Sequence, residues 1–258
     1  MAQLFFATSA RSAVGLQRKG NEDSALTSRQ VIAVADGMGG HAAGEVASKI
    51  AITKLEEISS VICNPEIDSD SAEDIFTNSL ETIDNQLKSE SDENPQLSGM
   101  GTTLTSLFIS GERICLLHIG DSRAYRLRGS SLEQLTQDHT VIQELLNQGA
   151  ISQSDIATHP QRSVLTQVLM GEGISSAPLM ILEAEAKDRY LLCSDGLSSV
   201  LTEKEIKSIL KGKDRQSVVD ALIDATYING APDNVTVVIA DLVEANDEEL
   251  VKIGAAQG

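Results

Sequence analysis

The stretch TTLTSLFISGERICLLHIGDSRAYRLRGSSLEQL, residues 102–135, sets short β-prone runs between turns that carry glycine. Segments 102–109, 113–119, 123–128 and 132–135 read as strands, with breaks at Ser110-Gly111 and Gly129-Ser130, a pattern that predicts an antiparallel meander. Working outward, 3–8 and 31–35 read as strands, the second running straight into Asp36. Segments 42–59 and 72–89 have helical spacing, with Val46, Ile50, Leu55 and Ile58 on one face and Ile75, Leu80, Ile83 and Leu87 on the other helix's face. Downstream, 138–163 is polar helix and loop, 179–185 and 189–193 predict a hairpin turning at Lys187-Asp188, 203–210 and 215–228 predict helices, and 235–242 a last strand.

This order of strands, two helices, many strands, two helices and a strand predicts an α+β fold: two stacked antiparallel β-sheets, a β-sandwich, flanked by pairs of α-helices. No repeat or low-complexity linker divides it, so residues 1–243 are expected to form one domain and the acidic segment 244–258 a disordered tail.

The chain has 258 residues and a formal charge of −18, a balance that repels nucleic acid and anionic membrane surfaces. Much of that charge lies in 56–93 and 244–249, where solvated surface is expected. Cys63, Cys115 and Cys193 are odd in number, far apart and without C-x-x-C spacing, which fits a reducing compartment and gives no zinc pattern. Neither a basic, apolar leader nor a run long enough to span a bilayer is visible, so a cytoplasmic protein is expected.

Five short acidic turns remain: Asn21-Glu22-Asp23, Asp36-Gly37-Met38-Gly39-Gly40, Gly120-Asp121-Ser122-Arg123, Ser194-Asp195-Gly196 and Asp233-Asn234. Asp36, Asp121 and Asp195 follow apolar β-type runs and Asp233 precedes one. A single such turn is ordinary. Several at the ends of central strands predict carboxylates that meet, and meeting carboxylates repel unless a cation lies between them. Oxygen-only ligands favour a hard cation such as Mg²⁺ or Mn²⁺.

Taken with Arg18, His41 and Gly101-Thr102-Thr103, these motifs stand in the order and spacing of the PPM family, the type-2C metal-dependent protein phosphatases, and the Asp-Gly-Met-Gly-Gly-His form resembles the bacterial branch. The resemblance covers residues 3–242. It implies hydrolysis of phosphoserine and phosphothreonine on proteins by a metal-bridging hydroxide, without a covalent enzyme intermediate. By the same resemblance Asp36 bridges two Mg²⁺ or Mn²⁺ ions, Asp195 and Asp233 ligate the first, and the Gly37 carbonyl ligates the second. Asp121, with Asp195, corresponds to a third, weaker metal. Glu22 and Asp23 correspond to residues that hold waters in the outer shell, and Asn234 stands beside them. Arg18 has the fork geometry for a phosphate clamp, and His41 is the candidate general acid. Residues 138–170 correspond to the flap of bacterial members. The implied partners are phosphorylated proteins, including those made by a Ser/Thr kinase, with a monomer as the working form. The competing readings are a phosphatase of a small phosphorylated metabolite and a silent phosphoprotein-binding module.

Overall fold

The computed structural model describes residues 3–39, 43–152, 155–156, 159–174, 177–244 and 251–257. The first part of the chain forms strands β1 (Phe5–Ala13), β2 (Asp23–Thr27) and β3 (Val31–Met38), then helices α1 (Ala43–Ile62), α2 (Ser69–Thr77) and α3 (Ser79–Glu93). Strands β4 (Gly101–Thr102), β5 (Leu104–Ser110), β6 (Arg113–Ile119), β7 (Arg123–Arg128) and β8 (Ser131–Gln134) follow, and then α4 (Val141–Asn147). The last part comprises β9 (Met180–Glu183), β10 (Arg189–Cys193), α5 (Asp195–Ser198), α6 (Glu203–Leu210), α7 (Arg215–Ile228), β11 (Val235–Val243) and β12 (Val251–Gly254).

Two antiparallel sheets result. One has the order β1-β11-β10-β7-β8, and the other β12-β2-β3-β5-β6-β9, with β4 paired to β3. Strand periodicity explains how they stack. Along β3, Ile32 and Val34 pack with Phe6, Leu192 and Val238 of the facing sheet. Val31, Ala33 and Ala35 point the other way, into a cluster with Ala47, Ala51 and Leu55 of α1 and Leu80, Ile83 and Leu87 of α3. On the far side, Leu191, Val237 and Ile239 meet Ile206, Val219, Leu222 and Ile223 of α6 and α7. The layers are therefore α-β-β-α, as the element order predicts.

Three local expectations are corrected. The meander of 102–135 is split between sheets: β5 and β6 pair in the larger sheet, whereas β7 and β8 belong to the smaller one. The chain crosses at Gly120-Asp121-Ser122, where Gly120 has φ 106° and Ser122 is fully buried. The 179–193 hairpin is likewise divided, since β9 pairs with β6 and β10 pairs with β7 and β11. Sequence period identifies a strand but carries no label for its sheet. Disorder does not describe the whole of 244–258 either. Residues 245–250 lie outside the described residues, but β12 pairs with the outer edge of β2 from Val251↔Thr27 to Gly254↔Ser24. Lys252 there pairs with Glu56 of α1 at 2.8 Å, and Ala256 is buried.

Strand β2 has no counterpart in the sequence reading. Its residues Asp-Ser-Ala-Leu-Thr lack a β-branched apolar run, yet all five are buried. The expected helix over 72–89 is two helices that meet at Asn78, the first capped by Asp68, which accepts from the Ser71 amide at 3.0 Å. All three cysteines are free. Among the described residues no helix is long and apolar enough to cross a membrane.

The outer helix pair is tied to its sheet by one buried side chain. Arg189 of β10 donates to Asp241 at 2.6 and 2.8 Å, to the Leu210 carbonyl at 2.8 Å and to the Gly212 carbonyl. It thus satisfies carbonyls at the end of α6 that have no helical partner. Arg189→Met should lower the unfolding free energy by about 1.5–3 kcal/mol, the scale of lost charge-assisted hydrogen bonds, since Asp241 is partly exposed and keeps Arg215 at 3.8 Å. Arg189→Lys should restore less than half of it in a urea titration, because Lys lacks the planar fork.

Candidate active site

Antiparallel pairing places the acidic turns at one end of the sandwich. Asp23 opens β2 directly opposite Asp36 near the end of β3. In the other sheet, the end of β10 at Cys193 lies beside the start of β7 at Arg123 and near the start of β11 at Val237. The residues just outside these strand ends are Asp195, Asp121 and Asp233. Five carboxylates from distant parts of the chain thus face one corner.

The backbone around Asp36 is locked. Its amide donates to the Thr103 hydroxyl at 2.9 Å, and its carbonyl accepts from the Thr103 amide at 2.9 Å and the Thr102 hydroxyl at 3.0 Å. The Thr103 hydroxyl also lies 2.9 Å from the Ser122 hydroxyl, so one side chain joins the Asp36 corner to the crossover that carries Asp121. Gly37 is required sterically: a Cβ there would lie 2.0 Å from the Gly44 carbonyl oxygen and 2.6 Å from that of Glu22. Its own amide donates to the Glu22 carbonyl at 3.1 Å.

Asn234 holds the neighbouring loop. Its amide oxygen accepts from the Glu22 backbone N–H at 2.9 Å, and its Nδ2 donates to the Gly20 carbonyl at 2.9 Å. Ser194 donates to Oδ2 of Asp23 at 2.7 Å. Asp23 is 1% exposed, and its other oxygen, Oδ1, has no hydrogen-bond partner among the described residues. Arg18 is half-exposed at the rim, with Nη2 2.5 Å from Oδ2 of Asp233.

Electrostatics show how close these groups come. Burial, followed by Asp23, Asp195, Asp121 and Asp233, holds Asp36 well above the usual carboxylate range. Burial raises Asp23 to about 7, although the Ser194 and Thr236 hydroxyls pull it back. Asp121 rises to about 7 through burial and then Asp195 and Asp138. Burial and Asp233 raise Asp195 to about 6, while a hydrogen bond with the Asp36 carboxyl opposes the rise. Glu22 is also raised, mainly by burial. Each charge costs free energy because it is both desolvated and near its own kind.

No three Asp, Glu, His or Cys side chains close into a ready-made ligand cage among the described residues. The carboxylates nonetheless lie within reach of one another's fields. Hard divalent cations fit such a donor set: they prefer oxygen, accept few protein ligands and keep several waters. The unpartnered Asp23 oxygen points to the same fit, as a buried acceptor able to hold a water. A groove of about 730 Å³ lined by Leu4, Glu112, Arg113 and residues 181–186 contains none of these carboxylates. Charge marks this site; depth does not.

The structure brings together Arg18, Glu22, Asp23, Asp36, Gly37, Asp121, Asp195, Asp233 and Asn234. His41 lies outside the described residues. His118 is a cross-strand histidine, with Nδ1 2.9 Å from the Thr105 hydroxyl. Sequence reading assigned no role to Thr103, Ser194 or Asp138, the last of which is held by Arg123 at 2.6 and 2.8 Å. Thr103 and Ser194 do sit inside quoted motifs, but the residues they hold, Asp36 and Asp23, lie 67 and 171 positions away.

A sequence profile described as Protein phosphatase 2C matches residues 20–227. The chain is 40% identical over 238 residues to the serine/threonine protein phosphatase PstP of Mycobacterium tuberculosis, covering 91% of this chain and 45% of that protein. It thus spans about half the length of that relative. It is 33% identical over 237 residues to the serine/threonine phosphatase stp of Listeria welshimeri, covering 88% and 92% of the two chains. The crystal structure of the PstP catalytic domain in complex with two manganese ions superposes with a TM-score of 0.85 at 38% identity, over 93% of this chain and 99% of that one. Profile and relatives agree over most of the length: the chain belongs to the protein phosphatase 2C family.

Proposed function

We propose that this chain hydrolyses phosphoserine and phosphothreonine on proteins with the help of divalent metal ions. The observation that carries the reading is the convergence of buried and partly buried, mutually repelling carboxylates beside a guanidinium: an arrangement that needs cations and can then attract a phosphate. The names of the relatives and the manganese ions of the PstP structure support it.

Asp36, the Gly37 carbonyl, Asp195 and Asp233 would hold two Mg²⁺ or Mn²⁺ ions, and Asp121 with Asp195 a third. When bound, such ions neutralise phosphate oxygens and make water acidic enough to serve as the nucleophile at neutral pH. The locked Asp36 backbone and the close Gly37–Gly44 approach keep these donors from collapsing on one another, so orientation precedes substrate. Asp23, through its free oxygen, and Glu22 accept hydrogen bonds from water at the centre. Arg18 offers its fork to two phosphate oxygens from the rim. His41 is the candidate to protonate the leaving alkoxide. No Cys or Ser nucleophile is assigned, so a single displacement is the proposed course. The substrates are phosphorylated proteins, such as the products of Ser/Thr kinases, and the segment 138–170 acts as a flap over them.

Phosphate release from a phosphothreonine peptide should cease in EDTA and return with Mn²⁺ or Mg²⁺; activity that survives complete chelation sinks the reading. A panel of phosphorylated metabolites hydrolysed faster than the peptide would move the substrate assignment to small molecules. Asp36→Asn should cut turnover by more than about 100-fold, beyond the usual loss from an outer-shell change. Because it removes one of several crowded buried charges, it should leave the metal-free fold as stable or more stable in a thermal melt; strong destabilisation contradicts the electrostatic account. Arg18→Ala should raise KM for the peptide about tenfold, near 1.4 kcal/mol, with a smaller change in kcat.

A further inference from the structure

Residues 139–173 leave the acidic corner and return to it, and both roots of this excursion are tied to the site. At the first root the His139 amide donates to the Gly120 carbonyl at 2.8 Å, and the Gly120 amide donates to Nδ1 of His139 at 3.1 Å. The base is closed by the Thr166 amide, which donates to the His139 carbonyl at 2.8 Å. At the second root, Leu169 and Thr102 exchange backbone hydrogen bonds of 2.9 and 3.0 Å. Thr102 in turn donates its hydroxyl to the Asp36 carbonyl. One root therefore ends beside Asp121 and the other on the backbone of Asp36.

Immediately beyond Leu169 the loop is gripped by a residue from another layer. Asp84, on α3, is 4% exposed. Its Oδ1 accepts from the amides of Met170 at 3.0 Å and Gly171 at 2.8 Å, and its Oδ2 accepts from Gly173 at 2.8 Å. Three amides within four residues of one loop thus surround one carboxylate, much as a backbone nest holds an anion. The nest needs its glycines: Gly171 and Gly173 have φ 80° and 88°, and a Cβ on Gly171 would lie 2.7 Å from the Lys88 Cα. The loop lies backbone to backbone on α3, one helical turn along from Asp84.

We propose that Asp84 is a positioning residue that sets the second root of the excursion, and through it the seating of a protein substrate. This rests on the phosphatase reading above. A small aryl phosphate needs only the metal corner and Arg18. A phosphorylated peptide extends past them towards the flap, whose height depends on where residues 169–173 are pinned. An Asn at position 84 has nearly the same shape, but it replaces an acceptor oxygen with an N–H₂ group that faces backbone donors.

The test compares the Asp84→Asn variant of this 258-residue chain with the wild type by hydrogen exchange and by kinetics. The amides of Met170, Gly171 and Gly173 should exchange at least tenfold faster, while those of Leu191, Leu192 and Ile239 in the sheet core stay unchanged. KM for a phosphothreonine peptide should rise at least threefold, with kcat for an aryl phosphate within twofold of wild type. Unchanged exchange in the loop overturns the anchor. Equal losses on both substrates overturn the role in seating the peptide and leave a merely structural contact. If Asp84→Asn does not fold, Gly173→Ala takes its place: no described atom lies within 4 Å of the added Cβ, so it strains the nest through φ alone and must give the same two results. A wild-type chain that releases phosphate from neither substrate ends the phosphatase reading, whereas the exchange experiment still decides whether Asp84 holds the loop.

Discussion

Like charges held out of water dominate this molecule. Asp23 is buried and Asp36, Asp121 and Asp195 are partly buried within reach of one another's fields, and each is driven towards the protonated form. At short range and low effective dielectric such repulsion is worth several kcal/mol. It persists only because the remainder of the fold over-determines the corner. Three packed clusters supply the opposing free energy, and Thr103, Ser194 and Asn234 fix the local backbone so that the carboxylates cannot swing apart into solvent. A metal centre of this kind is stored strain that a cation relieves. It is the reverse of a salt bridge, in which the protein supplies both partners.

Residue period carried the sequence reading a long way. Apolar runs along 31–35 and 235–242, and the helices read at 203–210 and 215–228, were enough to give the α-β-β-α layers, because a strand apolar on both faces must be covered on both. The acidic corner was legible for a related reason: an Asp followed by Gly or Ser at the end of an apolar run is a strand delivering a carboxylate. The reading stopped where the information is three-dimensional. Nothing in Gly120-Asp121-Ser122 distinguishes a hairpin turn from a passage between sheets. β2 is built largely from short residues whose burial rests on pairing with β3 and β12 and on Ser48, whose hydroxyl reaches both Ser24 and the Glu22 carbonyl. Asp84 looked like one more acid on an exposed helix, since its partners lie 86 to 89 residues away.

The crossovers also explain why this fold suits a site drawn from the whole chain. A hairpin confined to one sheet places its two strands side by side and its turn at an edge. A chain that passes from one sheet to the other at the same end of the sandwich places its turn between the layers. The passage at Gly120-Asp121-Ser122 does this at the acidic end, and Ser122 there is held by Thr103 and Thr105 of the opposite sheet. The Asp121 corner is consequently braced from both sheets.

The pairing of β1 with β11, from Phe5↔Val243 to Ala13↔Val235, joins nearly the first ordered residues to nearly the last. Asp233 stands just ahead of that final partner, and Asn234 clasps the loop of Glu22 across 212 residues. During synthesis the early strands emerge seconds before their partner at ordinary elongation rates. A ribosome-bound chain therefore has Asp23 and Asp36 before it has Asp233 and the Asn234 side chain that locks the Glu22 loop. Until translation has passed residue 243 the β1 edge of such a nascent chain is open to stray pairing. In this architecture the acidic corner is complete only once its latest-made members, Asp233 and Asn234, have been added to its earliest.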